Sequence, residues 1–244
     1  MKRAAYIQKD LAQIGTITDM TSIFEAIASI HIAQIKDRVM SSTKFFNELW
    51  RIYAQLRVGE KDFVQHRKPT ITNRGALVLI TSEGGLIGDI DERIVEAAMA
   101  HPNFEQCDIY VIGAHGGVLL GRHGIKPVKV FALPEKDDQI NVTPVAQLVN
   151  QYAQASVYYQ TYISLLKQET ARINLFSAVS SLGTATTKGG EVISSRDYIF
   201  EPSLNDIITY METVMVDIAL GQIVLESKLA QYASRFNTMS AAKA

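Results

Sequence analysis

Between Ser203 and Met239, apolar side chains recur alternately four and three residues apart. This spacing, about 3.5 residues on average, keeps one stripe of a helix facing a partner helix along a supercoil. At about 1.5 Å per residue the helix would be about 60 Å long, so it needs a partner of similar length. Pro202 and Ser203 suit its start. Apart from Gln222, the repeat is apolar: Leu204, Ile208, Met211, Met215, Ile218, Leu225, Leu229, Tyr232, Phe236 and Met239.

The first part of the chain supplies that partner. It contains no proline before Pro69 and only two glycines, Gly15 and Gly59, which predicts one helix from about Ala5 to Arg57. We therefore predict that residues 1–58 and 203–244 pair as one antiparallel coiled-coil shaft. The repeat of the first helix consists of Ile7, Leu11, Ile14, Thr18, Thr21, Glu25, Ala28, Ile32, Ile35, Val39, Ser42, Phe46, Leu49, Tyr53 and Leu56.

A second apolar stripe accompanies the repeat in the first helix. Because apolar groups then surround much of the helix, this region is predicted to contact more than one partner. The alternative is a helix wholly buried in a bundle, but the rest of the chain offers too few helices to bury it. The second stripe consists of Ile17, Met20, Phe24 and Ile27, with Ile23 and Ile30 beside it.

Residues 74–182 are predicted to form an α/β domain inserted between the two helices. Apolar runs typical of strands (ALVLIT, CDIYVI, VKVFAL, VYYQTYISLL and ARINLFSAVS) alternate with the helical patterns ERIVEAAMA and VAQLVNQYAQA. This alternation favours a small, Rossmann-like, mostly parallel sheet. GAHGG after the second run reads as a glycine turn, and residues 58–73 and 183–196 as connectors. We expect the domain at one end of the shaft, with the free ends of both helices projecting away from it.

Composition excludes several classes of function. With 24 basic and 25 acidic residues, the formal net charge is -1, so no nucleic-acid partner is predicted. Cys107 is the only cysteine, which argues against a disulfide or a thiolate metal site and favours a reducing compartment. The chain has no uncharged apolar run of about 18 residues and its start lacks an apolar core, so neither a membrane span nor a signal peptide is expected.

No stretch of the sequence has the residue spacing of a known catalytic or cofactor-binding motif. SEGGLIGDID (residues 82–91) follows a strand as phosphate-binding turns do, but it lacks GxGxxG spacing and its carboxylates would repel a phosphate. Lys188 precedes its glycines, unlike a P-loop lysine. His115 and His123 have no companion ligands, and Asp89, Asp91 and Glu92 suit a helix start better than a cation. We therefore predict no catalytic residue, no cofactor and no metal site.

Five stretches, in order, resemble motifs of the gamma subunit of rotary F-type ATP synthases. ITDMTSIFEAIA (residues 17–28) is similar to the family's ITxAMExVAAxK stretch, and TSEGGLIGDID (81–91) to its glycine turn after the first strand. IGAHG (112–116) resembles the IGxKG turn, and YIFEP (198–202) the YxxEP before the last helix. SRFNTMSAA (234–242) resembles the closing ARMxAMxxA motif. The likeness covers most of the chain.

The resemblance implies the central shaft, which performs no bond chemistry and couples ion-driven rotation to ATP synthesis or hydrolysis in a surrounding catalytic hexamer. Its implied partners are the alpha and beta catalytic subunits, the epsilon subunit and the membrane c-ring. Its implied location is the cytoplasmic face of the cell membrane, as a peripheral subunit. It also implies subunit contacts at Met20, Thr21, Phe24, Ile27, Ser82, Glu83, Gly84, Gly85, Gly88, Gln231 and Arg235.

The chain also departs from the family pattern. Asp19, Ala28 and Gly84 stand where the family has basic residues. We therefore expect its contact with the surrounding catalytic hexamer to be more apolar. The last helix is predicted to be shorter than the first, by about 15 Å. Two other functions remain open at this point: a coiled-coil scaffold or adaptor with an α/β docking domain, and a small-molecule enzyme built on that domain.

Overall fold

Two long helices dominate the structure. They are α1 (Lys2–Leu56), with 55 residues, and α5 (Leu204–Lys243), with 40 residues. The helices run antiparallel, because the Tyr53 hydroxyl near the end of α1 donates a 2.9 Å hydrogen bond to Glu212 Oε1 near the start of α5. The computed structural model describes most of the chain, namely residues 2–56, 69–134, 140–177, 201 and 203–243.

The two predicted repeats face each other along this pair. Midway along the shaft the His31 and Tyr232 rings stack, with their centroids 4.5 Å apart. The predicted antiparallel coiled coil is therefore confirmed. The side chains of Ile7, Leu11 and Ile14 lie outside the described ones. Buried members of the repeats include Ala28, Ile35, Phe46 and Tyr53 from α1, and Ile208, Met211, Met215, Leu229, Tyr232 and Met239 from α5.

The middle of the chain forms one sheet of five strands: β1 (Gly75–Ile80), β2 (Cys107–Ile112), β3 (Lys129–Phe131), β4 (Ala155–Tyr162) and β5 (Gln168–Asn174). Their order across the sheet is β3-β2-β1-β4-β5. The first four strands run parallel, and β5 is antiparallel to β4. The apolar run of β1 is buried along nearly its whole length, as expected for the central strand of a sheet covered on both faces. The predicted mostly parallel sheet is confirmed.

The helices α2 (Ile90–Met99), α3 (Ala114–Arg122) and α4 (Thr143–Val149) pack on this sheet. Successive strand residues point to opposite faces of a sheet. One face of β1, with Leu77 and Leu79, packs with apolar residues of α2 and α3. The other face, with Val78 and Ile80, packs against α4 and against both shaft helices. The shaft thus covers one face of the sheet together with α4.

Two local predictions differ from the structure. The GAHGG segment is not a free turn, because Gly116 and Gly117 lie inside α3. These residues are glycines because α3 lies very close to its neighbours: a Cβ on Gly116 would stand 2.5 Å from Thr81 Oγ1. The helix α4 ends at Val149, earlier than the predicted pattern, and the chain then bends into an isolated bridge between Tyr152 and Ile71.

The expected projection of both free helix ends away from the domain is wrong for α5. Near the end of α5, the Ser234 hydroxyl donates to the Ile87 carbonyl oxygen at 2.7 Å. The Asn237 side-chain amide donates to the Leu165 carbonyl oxygen at 2.6 Å. The domain therefore lies alongside α5 almost to its end, because α5 covers one face of the sheet.

Among the described residues, one helix is long and apolar enough to cross a membrane by length and composition alone, over Asp206–Ala241. Half of its most apolar stretch is buried inside the structure. That burial is against α1 and the sheet, as for a core helix. The 183–196 connector with Lys188, and most of the 58–73 connector, lie outside the described residues. The domain boundaries at 58, 74, 182 and 203 stay predictions.

Candidate subunit-contact surfaces

The glycine turn between β1 and α2 is held from inside by one buried carboxylate, that of Asp91. Its Oδ2 accepts the Ser82 backbone N–H at 3.0 Å and lies 2.7 Å from the Ser82 hydroxyl. His115 Nδ1 of α3 is 2.8 Å from the same oxygen. Gln160 Nε2 of β4 donates to Oδ1 at 2.7 Å. A carboxylate withdrawn from water is tolerated when its lone pairs are satisfied in this way.

The same set of contacts continues from the sheet into the shaft. Gln160 Oε1 accepts a hydrogen bond from the Ser227 hydroxyl of α5. The Gln231 amide, one turn further along α5, donates to the Ser227 hydroxyl at 3.3 Å. All three side chains are buried. A continuous polar chain, which we call the Asp91 network (Ser82, Asp91, His115, Gln160, Ser227 and Gln231), therefore ties the glycine turn to α5.

The start of α3, where a phosphate could bind backbone amides, is already occupied by the turn itself. Glu83 Oε2 accepts the Ala114 N–H at 3.4 Å, and its other oxygen accepts the Leu133 N–H. The Thr81 hydroxyl accepts the Gly116 N–H at 3.0 Å. The backbone N–H groups of Ala114, Gly116 and Leu133 therefore donate to side chains of the same chain.

The outer part of the turn faces solvent and presents one large apolar side chain. Gly84, Gly85 and Gly88 are exposed, and Leu86 is 57% exposed. Leu86 has a φ of 66°, a left-handed conformation uncommon for a residue with a side chain. The turn rests on α5, since a Cβ added to Gly88 would lie 3.7 Å from Thr238 Oγ1. Leu86 is thus held outward at a fixed height along the shaft.

An apolar stripe on α1 also faces solvent. Thr21, Ala28 and Ile35 point toward α5 and are buried, which leaves another face of the helix outward. The exposed stripe, which we call the α1 stripe, consists of Met20, Ile23, Ile27 and Ile30, whose exposed fractions range from 43% to 59%. The predicted second stripe is therefore present on the surface, although Phe24 is half-buried and the Ile17 side chain lies outside the described ones.

The residues predicted for subunit contact fall into three groups. Met20, Ile27, Glu83, Gly84, Gly85 and Gly88 are exposed. Phe24 and Arg235 are half-buried, and the Arg235 guanidinium lies 5.7 Å from the centre of the Tyr232 ring. Thr21, Ser82 and Gln231 are buried, and the last two belong to the Asp91 network. Leu86 lies within the turn from Ser82 to Gly88 that was predicted as a contact, although it was not singled out there. Sequence reasoning missed Gln160, although a glutamine within the apolar run VYYQTY was a signal for a buried polar contact.

Among the described residues, no grouping of three or more histidine, cysteine, aspartate or glutamate side chains could hold a metal ion. A polar cavity of about 260 Å³ lies at the amino edge of the sheet, lined by Arg74, His101, Cys107 and Arg172 among others. Burial, and then the Arg172 charge, lower the pKa of His101. Burial raises the pKa of the Cys107 thiol and outweighs the opposing effect of the Gly75 amide.

We predict that Cys107 is a slow nucleophile, because the thiolate is the reactive form and burial disfavours it. Alkylation by iodoacetamide near neutral pH should be slower than for glutathione, and its rate should rise only at higher pH. The measurement is mass spectrometry of quenched time points across a pH series. The same chain in concentrated urea serves as the control and should react like the free thiol. Equal rates in the folded and unfolded chains would contradict the assignment.

Comparison with known proteins identifies the family behind this architecture. A model of the family described as ATP synthase matches residues 4–244, nearly the whole chain. The chain belongs to the ATP synthase gamma chain family. Its relatives are distant: the gamma chain of Desulfitobacterium hafniense is 21% identical over 255 residues, covering 99% of this chain and 86% of that one. The gamma chain of Acidovorax ebreus is 24% identical, covering 97% of this chain and 85% of that one.

Chains in solved structures of mitochondrial ATP synthases share the fold. The central stalk/c-ring structure of Tetrahymena thermophila mitochondrial ATP synthase matches with a TM-score of 0.65 and 20% identity, covering 92% of this chain and all of that one. The rotor structure of Euglena gracilis mitochondrial ATP synthase matches with a TM-score of 0.57 and 15% identity, covering 98% of this chain and 91% of that one. The gamma chain is therefore a non-catalytic central-stalk subunit of an F-type ATP synthase, and the scaffold and enzyme alternatives are set aside.

Proposed function

We propose that this gamma chain turns inside a hexamer of alternating alpha and beta subunits and couples its rotation to ATP synthesis or hydrolysis there. The α/β domain forms the foot, which contacts the epsilon subunit and the ion-driven c-ring. The assembly sits as a peripheral complex on the cytoplasmic face of the cell membrane. The bacterial relatives named above support the cell membrane as the location.

The exposed α1 stripe carries this proposal. A coiled-coil helix of a lone protein has one apolar seam, and its outer face is normally polar. Here Met20, Ile23 and Ile27 lie exposed on a face that α5 does not cover. An exposed apolar row of this kind marks a binding surface for another protein. The stripe is continuous along the helix axis, as a surface that meets the inner wall of a ring would be.

The asymmetry of the molecule explains how its rotation would change the nucleotide affinity of each catalytic site. The described residues of the α/β domain pack along one side of the shaft, and the α1 stripe occupies another face. A surrounding ring of identical catalytic sites therefore meets a different surface at each site. A partner that binds two conformations of a site unequally shifts the balance between them. Rotation of such a shaft then moves each site in turn through different nucleotide affinities.

The Asp91 network gives this shaft a stiff connection to its domain. Its buried hydrogen bonds join the turn, β4 and α5, so the domain cannot slide along α5 without breaking them. A buried hydrogen bond left unmade costs about 1–3 kcal/mol, which favours one fixed arrangement. Torque applied at the foot would therefore pass into the helices with little loss to sliding.

A charge placed on the α1 stripe tests the proposal. Replacing Ile27 by aspartate should weaken copurification of the full chain with alpha and beta subunits by about tenfold or more, because a buried isoleucine contact is lost and a charge is desolvated. The ATPase activity of the recovered complex should fall in parallel. The measurement is the amount of hexamer retained on the tagged chain, together with ATP hydrolysis.

The matched control is Ser29→Asp, which adds the same charge to an exposed α1 position off the stripe. This variant should copurify like the unaltered chain. If Ile27→Asp and Ser29→Asp both retain the hexamer fully, the stripe is not a ring contact. If the unaltered chain never associates with alpha and beta subunits, the shaft function itself fails.

A further inference from the structure

The tip of the β4–β5 hairpin exposes two large apolar side chains. Leu166 is 82% exposed, the highest value among the large apolar residues that the structure describes, and Ile163 is 53% exposed. The tip is not loose: the N–H groups of Ile163 and Ser164 both donate to the Lys167 carbonyl oxygen, at 3.2 and 3.0 Å. A closed turn that holds leucine and isoleucine in water has the character of a contact surface.

The hairpin tip and the glycine turn lie at the same height along the shaft. Asn237 of α5 donates to the Leu165 carbonyl oxygen in the tip. Ser234, less than one helical turn away, donates to the Ile87 carbonyl oxygen in the glycine turn. Both loops are thus bonded to the same segment of α5, and Leu86 and Leu166 are presented from neighbouring positions.

The α1 stripe reaches that height as well. His31 stacks on Tyr232, and the two helices are antiparallel. Residues that precede His31 therefore run level with residues that follow Tyr232. Since the helical rise is the same on both sides, Ile27 lies level with about Phe236, between the α5 residues that hold the two loops.

We propose that these exposed residues act as one apolar collar, defined as Ile23, Ile27, Leu86, Ile163 and Leu166, and that the hairpin tip is part of the surface that binds the alpha–beta hexamer. This inference rests on the proposed function and extends the contact surface to a third segment of the chain. The recognition is apolar, because Lys167 at the tip is paired with Glu169 at 2.6 Å. The collar therefore fits a rim of apolar side chains on the ring.

Aspartate substitutions at the tip test the proposal with the full chain. Binding of Leu166→Asp to hexamers assembled from purified alpha and beta subunits should be about tenfold weaker, since one buried leucine contact is lost. The matched control is Val128→Asp, because Val128 is 60% exposed but precedes β3, on the opposite edge of the sheet. It should bind like the unaltered chain. Melting temperatures should be unchanged in both variants, because neither side chain is packed.

A cross-linking measurement supplies an independent outcome. In a Cys107→Ser background, the Leu166→Cys thiol is the only one in the chain, and a short bifunctional reagent should link it to an alpha or beta subunit. Normal binding of Leu166→Asp without cross-linking, alongside weakened binding of Ile27→Asp, would overturn the hairpin contact and leave the proposed function standing. Absence of hexamer binding by the unaltered chain would instead reject the proposed function.

Discussion

Replacing Gly113 by alanine is expected to prevent stable folding of the α/β domain. Gly113 links β2 to α3 with a φ of 100°, a conformation that side chains rarely adopt. A Cβ there would stand 2.1 Å from the Thr81 carbonyl oxygen and 2.8 Å from that of Ser82. Both obstacles are backbone atoms at the end of the central strand, so no side-chain rotation can relieve them.

The expected cost is at least about 3 kcal/mol, from backbone strain and overpacking together. In a chain of this size that corresponds to a melting temperature lower by about 10 °C, or to insoluble expression. Circular dichroism during heating measures it. The matched control is Gly121→Ala in the adjoining helix, where a Cβ would meet nothing within 4 Å. That change should be neutral or stabilise by up to about 1 kcal/mol. Equal melting temperatures for the two variants would contradict the steric argument.

The shaft could be predicted from the sequence because its signal is local and repetitive. Each step of four or three residues, such as Met211 to Met215 to Ile218, places the next side chain on the same stripe whatever the rest of the chain does. Strands β1 and β2 could also be predicted, because a short continuous apolar run bounded by glycines is typical of a buried strand. The pairing of the two stripes follows because α1 and α5 are the two long helices among the described residues.

The helix α3 could not be predicted in the same way. Its sequence AHGGVLLGR has three glycines, and glycine lowers helix propensity. The glycines are there for tertiary reasons: Gly116 lies against Thr81, and a Cβ on Gly117 would stand 3.2 Å from Val130. Propensity describes the isolated segment, whereas close packing of α3 on the sheet decides the outcome. The side of the shaft on which the domain lies is likewise set by contacts distant in sequence.

The candidate contact surfaces likewise differ in whether the sequence alone could predict them. Periodicity alone located Met20 and Ile27, because a second stripe on a helix is visible in the sequence. The hairpin tip was not located, since exposure of Leu166 depends on where α5 runs relative to β4. Gln231, which was predicted at a subunit contact, lies buried beside Ser227 in this chain, and the contact itself stays a prediction. The resemblance to the family indicated a contact at this position, but the sequence does not say whether a polar side chain is bonded within the chain or to a partner.

Replacing Asp91 by alanine should be the second strongly destabilising change. The carboxylate accepts hydrogen bonds from the Ser82 amide and the Gln160 side chain and lies within hydrogen-bond distance of His115. Its removal leaves the buried Ser82 amide and Gln160 side chain without their acceptor and opens a cavity beneath the glycine turn. Breaking a buried charged contact by removing one partner costs about 3–5 kcal/mol. Thermal unfolding measures the loss, and amide hydrogen exchange at Ser82 should accelerate because its acceptor is gone.

The neighbouring Asp89→Ala variant separates this network from a general effect of charge near the start of α2. Asp89 is an exposed carboxylate that pairs with Arg93 at 2.8 Å across one helical turn. Such surface pairs contribute about 0.3–0.5 kcal/mol, so this variant should melt close to the unaltered chain. A comparable loss in both variants would mean that the helix-start charge, and not the buried network, stabilises the turn. A loss confined to Asp91→Ala would establish that the buried network, which continues through Gln160 to Ser227 of α5, stabilises the turn.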